Sequence, residues 1–225
     1  MKKIFLLPVS FFSMLIFAQT GSDNMAVSAQ GEMFFMMGKK NIINEKAIDG
    51  SPYVNGNNFI KVQIPNYNKS IPDLRYNANS DEMEFRNEND IYFVNKQPQI
   101  KIDFLSLNKS YECLNYNIND KNYFGYLVVL VDNAKFSLYK KESIEIVKGE
   151  KGSNPFVTDQ NDFYGKVKNQ YLLKKGNHFS KISKNVKDII NLFDNKTDVE
   201  NYIKTNKIDL SKENDLIKFV KYTNE

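Results

Sequence analysis

Reactive side chains are scarce in this chain of 225 residues, which has no tryptophan, one cysteine (Cys113) and one histidine (His178). A single cysteine cannot form an intramolecular disulfide. One histidine and one cysteine are also too few for a zinc site built from the usual ligands. Because His178 follows an expected hairpin turn at Gly176, we interpret it as a surface imidazole and Cys113 as a core thiol. We therefore predict no catalytic, cofactor-binding or metal-binding residues.

Motifs for phosphate, calcium and nucleic-acid binding are lacking as well. The chain contains neither GxxxxGK[ST] nor GxGxxG. The asparagines from Asn115 onward are spaced like an EF-hand loop, but the required Gly and Glu are missing. The formal net charge is only +4, and Arg75 and Arg86 are the only arginines. A nucleic-acid partner is therefore not expected, since phosphate recognition favours a basic, arginine-rich surface.

The first part of the chain has the pattern of a secretory signal peptide. Lys2 and Lys3 precede an apolar run over residues 4–17, and Ala18 offers a small residue at a cleavage site. The run is too short for a membrane span, and Pro8 interrupts it. We expect a signal peptide at 1–19, a mature chain without a transmembrane span, and a periplasmic or secreted location. Cys113 lies far from the cleavage site, so a lipid-modified N-terminal cysteine is not expected.

The body of the chain has the pattern of a β protein. Residues 20–58 form an N-terminal segment that is poorly defined, apart from turn signals at 50–53 and 55–58. From residue 59 to 182, short alternating or apolar runs are separated by turn residues, which is typical of antiparallel sheets. The run at 59–64 predicts a strand, and the continuous apolar run at 123–131 predicts the centre of a sheet. We expect a sheet stack or a barrel-like body.

A helical tail follows at 183–225. The hydrophobic period changes to 3.6 residues there, and one helical face collects Val186, Ile189, Ile190 and Phe193. Thr197 and Glu200 have the spacing of a capping box. The two or three helices predicted here are too short to be stable alone, so we expect them to pack on the β-rich domain at 59–182. The predicted fold class is therefore α+β.

Acidic residues cluster between positions 81 and 90. A pair of carboxylates could catalyse glycoside hydrolysis, so a hydrolase that uses this cluster or Asp103 is one alternative. Alternation places Glu82 and Glu84 on one face of a strand, and we interpret this face as solvent-exposed. The hairpin formed by 74–76 and 83–85 predicts a cross-strand pair of Arg75 with Glu84 or Glu82, of modest energy.

Residues 163–187 contain no acidic residue, and aromatic residues lie among their lysines. Such a basic face could bind an acidic glycan or another anion, whereas the simpler interpretation is a solvated hairpin. Two of the lysines, Lys166 and Lys168, would point the same way in a strand. The candidate anion-binding surface comprises Lys166, Lys168, Tyr171, Lys174, Lys175 and Lys181.

Several blocks of sequence taken together carry a resemblance, and they read Gly50-Ser51-Pro52-Tyr53, Leu74-Arg75-Tyr76-Asn77, Asp81-Glu82-Met83-Glu84 and Val199-Glu200-Asn201-Tyr202. The chain resembles a group of uncharacterised exported proteins of Bacteroidota. The resemblance implies an exported location and a single fold over most of the mature chain. It implies no activity and no catalytic residue.

These observations favour an exported protein without enzymatic activity, which binds a ligand or has a structural role in the cell envelope. An acidic glycan or an envelope protein is the expected kind of partner. Two alternatives stay open at this point. One is an exported hydrolase that depends on carboxylates, and the other is an anion-binding module that uses the lysine-rich face at 166–187.

Overall fold

The structure is a computed structural model that describes residues 35–39, 48–65, 67, 70–119, 121–152 and 158–225. Its strands are β1 (Phe35–Lys39), β2 (Ile48–Asp49), β3 (Leu74–Asn77), β4 (Glu82–Asn87), β5 (Asp90–Val94), β6 (Lys101–Phe104), β7 (Lys109–Ile118), β8 (Lys121–Val131), β9 (Ser137–Ser143), β10 (Ile146–Val147), β11 (Asp162–Tyr164), β12 (Lys168–Lys175) and β13 (His178–Lys181). The helices are α1 (Val186–Ile190), α2 (Lys196–Thr205) and α3 (Glu213–Thr223), and one 3₁₀ turn spans Leu105–Leu107.

The described strands form three sheets. One has the order β1-β5-β4-β3 and the largest has the order β13-β12-β9-β8-β7-β6, and every pair in both is antiparallel. A small sheet joins β10, β11 and β2, with β11 and β2 parallel. The predicted α+β class, with a β-rich sheet stack followed by short C-terminal helices, is confirmed. The strand predicted at 123–131 does lie inside the largest sheet, between β7 and β9.

The strand predicted at 59–64 is wrong. This segment makes two isolated bridges instead, Ile60 with Leu74 and Gln63 with Asp103. The alternation itself is real, because Val62 and Ile64 are buried between exposed neighbours. The segment therefore crosses from the first sheet to the edge of the largest sheet, and period-2 burial occurs without a continuous ladder.

Both faces of the six-stranded sheet are buried. Adjacent residues point to opposite faces, so Leu172 and Leu173 belong to different hydrophobic cores. One face packs against the first sheet through Tyr111 and Tyr126, and further along against the helices. On the opposite face the sheet is curved, so that β13 contacts β7, and the ring centroids of Tyr116 (β7) and Phe179 (β13) lie 5.9 Å apart. The sheet thus acts as the central layer of the molecule.

A turn from the first sheet is inserted between β8 and β9. The backbone pairing of these two strands begins only at Val128, so they are separated before it. Asp81, in the β3–β4 turn, accepts the backbone N–H of Tyr126, and Asn79 donates its side-chain amide to the carbonyl of Ile144. Gly125 is needed beside this turn, because a Cβ there would overlap the Asp81 carboxylate. The turn therefore satisfies backbone groups that strand pairing leaves open.

The helical tail packs on the largest sheet. Phe193 lies between Phe136 of the sheet, at 4.8 Å, and Phe219 of α3, at 5.5 Å between ring centroids. Asn224 accepts the N–H of Phe136 and donates to its carbonyl, so α3 is also fixed by hydrogen bonds. The capping box predicted at Thr197 is wrong. Helix α2 begins at Lys196, and its N-cap residue makes no side-chain capping bond.

Candidate functional site

The acidic cluster at 81–90 does not form a solvent-exposed face. Glu84 is fully buried, which corrects the interpretation of Glu82 and Glu84 as a solvated pair. Of the two predicted cross-strand partners, Glu84 is the one found, since Arg75 pairs with it in register and donates from Nε at 2.8 Å. Both partners are removed from water, so loss of either one would leave an unpaired buried charge, which is costly.

The buried Arg75–Glu84 pair is enclosed by residues from the segment before β3. The Arg75 guanidinium carbon lies 3.9 Å from the ring centroid of Tyr53 and 4.4 Å from that of Phe59. Tyr53 donates its hydroxyl to Glu84 at 3.0 Å, and the side chain of Asn77 donates to the other carboxylate oxygen at 2.9 Å. Burial and the charge of Glu84 raise the pKa of the Tyr53 phenol. The arrangement is that of a closed structural pair rather than an open catalytic carboxylate.

Asp81 and Glu82 are half-buried carboxylates at the start of the cluster. Lys96 lies 3.0 Å from Glu82 and 3.6 Å from Asp81, and the Tyr76 hydroxyl donates to Asp81 at 2.8 Å. Burial raises the pKa of both carboxyl groups, and the charge of Lys96 opposes the shift. A raised carboxyl pKa is a feature of catalytic acids, but here the position of Asp81 between β8 and β9 accounts for it.

A second buried carboxylate, Glu142 of β9, was missed by the sequence reasoning. Lys109 donates to both of its oxygens at 2.8 Å, and the Tyr111 hydroxyl donates at 2.8 Å. Lys140 lies 3.2 Å from the same carboxylate and 2.8 Å from Glu213 of α3. The only sequence signal was the period-2 spacing of Lys140 and Glu142, which is no different from that of an ordinary solvated strand.

The structure distributes the candidate anion-binding residues over several surfaces. Lys166 lies in the connection before β12, so it does not share a strand face with Lys168 as expected. Lys168 is paired with Glu145, and Lys175 is paired with Asp194. Tyr171 and Lys181 are the members of the set that line a common groove, described below. Lys174 lies over the Phe179 ring, and the Tyr171 hydroxyl donates to Glu213 at 3.1 Å.

Lys181 lines a groove, which we call the tail groove. The groove has a volume of about 850 Å³ and lies between the start of β12, the end of β13 and the helical tail. Among the residues that line it are Asn169, Gln170, Lys181, Ser183, Lys184 and Ser211. Ile182 and Leu210 add apolar surface, and Asp188 contributes one carboxylate. The groove thus combines amides, hydroxyls and two ammonium groups.

The two lysines of the tail groove have no ion-pair partner within the described part of the chain. Both Lys181 and Lys184 are exposed. Asp188 is the one acid among the described residues that line the groove, and it accepts a hydrogen bond from Asn185 at 3.3 Å. The local charge is therefore positive and available to a ligand, although exposure to solvent weakens each individual contact.

The single cysteine and histidine lie where the sequence predicts. Cys113 is buried in the hydrophobic core between the four-stranded and the six-stranded sheets. Burial raises the pKa of its thiol to about 12. His178 is exposed at the start of β13. A thiol with this pKa is almost entirely protonated at neutral pH and is a poor nucleophile.

Metal ligands and membrane-spanning helices are both missing from the residues that the structure describes. No group of three or more His, Cys, Asp or Glu side chains is arranged to hold a metal ion there. None of the helices α1, α2 and α3, which are the helices described, has the length and apolar character needed to cross a bilayer. A scan against protein-family models and searches of curated proteins and of solved structures found no match.

Proposed function

We propose that this protein is an exported, non-enzymatic binding protein that holds an acidic polysaccharide in the tail groove. The observation that supports this most is a polar groove of about 850 Å³ lined by Lys181 and Lys184, neither of which has an ion-pair partner among the described residues. Pockets of roughly 300–1,000 Å³ are typical of small-ligand sites, so a short stretch of a glycan chain would fit.

The lining of the tail groove suits a glycan that carries carboxylates or sulfates. The ammonium groups of Lys181 and Lys184 would attract the anionic substituents. The side-chain amides of Asn169 and Gln170 can both donate and accept, which matches sugar hydroxyls. Because the lysines are exposed, the attraction would weaken as salt is added.

Export is the second part of the proposal, and it rests on the pattern of residues 1–19 and on the resemblance to exported proteins. N-terminal sequencing of the protein recovered from its natural host is the test. A first residue near Gln19 is expected, whereas an N-terminus at Met1 on cytosolic protein would overturn this part.

Binding is tested by retention on immobilised heparin, with a neutral dextran resin as the comparison. Reversing both charges of the groove, Lys181→Glu with Lys184→Glu, should shift elution to clearly lower salt. The matched control is Lys196→Glu with Lys204→Glu, which changes the net charge equally on α2, outside the groove. Equal shifts for both pairs would show general electrostatics only, and no shift for either would remove the tail groove as the site.

A further inference from the structure

Lys109 and Tyr111 of β7 contact the buried Glu142, and both are hydrogen-bonded to the distant Asn55. Lys109 Nζ, which already bonds both Glu142 oxygens, also donates to the side-chain carbonyl Oδ1 of Asn55 at 2.9 Å. The side-chain nitrogen of Asn55 donates to the Tyr111 hydroxyl at 3.1 Å, and this hydroxyl donates to Glu142 at 2.8 Å. The Lys109 amine thus contacts both the Asn55 carboxamide and the Glu142 carboxylate, and the Tyr111 hydroxyl bridges the carboxamide and the carboxylate.

We propose that Lys109 and Asn55 join in an intramolecular isopeptide bond, with Glu142 as the group that moves the protons. The new bond forms between Lys109 Nζ and the side-chain carbon Cγ of Asn55, and the bond from Cγ to Nδ2 breaks. The nitrogen of the Asn55 amide leaves. This cross-link is a covalent modification independent of the proposed glycan binding.

The proton transfers balance without any co-reactant. Glu142 first takes a proton from the Lys109 ammonium, and the neutral amine then attacks Cγ of Asn55. Glu142 passes that proton towards Nδ2 and takes a second one from the attacking nitrogen. When the tetrahedral intermediate collapses, ammonia leaves and accepts the second proton from Glu142, so that ammonium is the product. No electrons are gained or lost.

The distances in the structure bring the reacting groups close to one another. The Asn55 carbonyl bond is about 1.2 Å long, so Nζ lies within about 4 Å of the carbon that it attacks. Glu142 contacts the nucleophile directly, and Tyr111 connects the same carboxylate to the leaving nitrogen. Holding reactants at such distances replaces a bimolecular encounter, which is a large part of the barrier to amide exchange.

The surroundings favour the neutral amine that the reaction requires. Burial lowers the pKa of Lys109, while the attraction of Glu142 opposes this shift. Glu142 is 4% exposed, so water competes little for its protons. Lys140, 3.2 Å from Glu142, adds a second positive charge that disfavours an ammonium at Lys109.

A competing reaction exists at the same residue, because Gly56 follows Asn55. Attack by the Gly56 backbone nitrogen would expel ammonia too, but the ring that forms is opened by water to give an aspartate or isoaspartate. Deamidation therefore ends with a slightly heavier chain and no cross-link. The isopeptide bond ends with a chain lighter by one ammonia, so mass separates the two outcomes.

Intact mass spectrometry of the purified full chain is the test. The expected mass is that of the sequence, less any removed leader, minus one ammonia. Trypsin should fail to cut after Lys109 and should release one branched peptide that contains both Asn55 and Lys109. If the chain still has the mass calculated from its sequence after prolonged incubation at neutral pH, without the loss of ammonia, the proposal is overturned. A gain of one mass unit at Asn55 would overturn it too.

Variants assign the roles. Lys109→Arg and Asn55→Ala should each have the mass calculated from their own sequences, with no loss of ammonia. Glu142→Gln should cross-link far more slowly or not at all. Lys101→Arg, in the adjacent strand β6, is the matched control and should lose ammonia like the natural chain. Loss of ammonia in Lys109→Arg would refute the assignment. Circular dichroism confirms which variants are folded, and the mass of the natural chain decides the question even if one is not.

Discussion

Removing the negative charge of Glu84 gives the sharpest test of the buried pair. In Glu84→Gln the shape is kept, but the Arg75 guanidinium loses the carboxylate that it contacts at 2.8 Å and 2.7 Å. Arg75 is only 9% exposed, so water cannot replace the lost partner fully. Breaking a buried pair in this way costs about 3–5 kcal/mol, and we expect that loss in the free energy of unfolding.

The assay is urea denaturation followed by circular dichroism, with a melting curve alongside. For a domain of this size, the expected fall in Tm is on the order of 10 °C. The matched control is Glu82→Gln, two residues away on the same strand, where the partly exposed contact with Lys96 is worth at most about 1 kcal/mol. Equal losses for the two variants, or a loss below about 1 kcal/mol for Glu84→Gln, would refute the reasoning.

Three further predictions concern other contacts of the fold. Gly125→Ala should destabilise the fold by about 1–3 kcal/mol, because the new methyl group overlaps Asp81, and combining it with Asp81→Ala should recover part of the loss in urea denaturation. Asn224→Ala should cost about 1–2 kcal/mol and loosen α3, read as faster hydrogen exchange in Glu213–Thr223, since two backbone bonds to Phe136 are lost. The raised pKa of Asp81 means that the folded state holds its proton to higher pH than the unfolded state, so this group lowers stability as pH rises above about 4. In curves of unfolding free energy against pH, the natural chain should therefore lose stability relative to Asp81→Asn as pH rises above about 4, by at most about 1.4 kcal/mol per pH unit. Parallel curves would contradict the raised pKa of Asp81.

Local patterns were enough for the hairpin of β3 and β4 and for the central strand β8, and they limited the partner of Arg75 to Glu82 or Glu84. The hairpin of β3 and β4 follows from two alternating runs around a turn, and this register brings Arg75 opposite Glu84. The tail followed from a change of period, because amphipathic spacing reports which face is buried. These features depend on residues that are near one another in sequence.

Burial of the polar residues could not be predicted in the same way. Alternation tells which side chains share a face, but not whether a second layer covers that face. Tyr53 covers Glu84 from a segment 31 residues earlier, and Asn55 reaches Lys109 across 54 residues. The tail groove likewise combines the β7–β8 turn at Asn119 with residues from β12 and the tail. Contacts of this length depend on topology, which periodicity does not encode.

The insertion of the β3–β4 turn between β8 and β9 makes the two larger sheets mutually dependent. A shortened chain that starts after β5 would uncover the backbone groups of Tyr126 and Ile144 at an open seam in the remaining sheet. Exposed strand backbone of this kind recruits strands from other molecules. Such fragments would therefore self-associate instead of folding as monomers, and a split reporter should not be divided between these sheets.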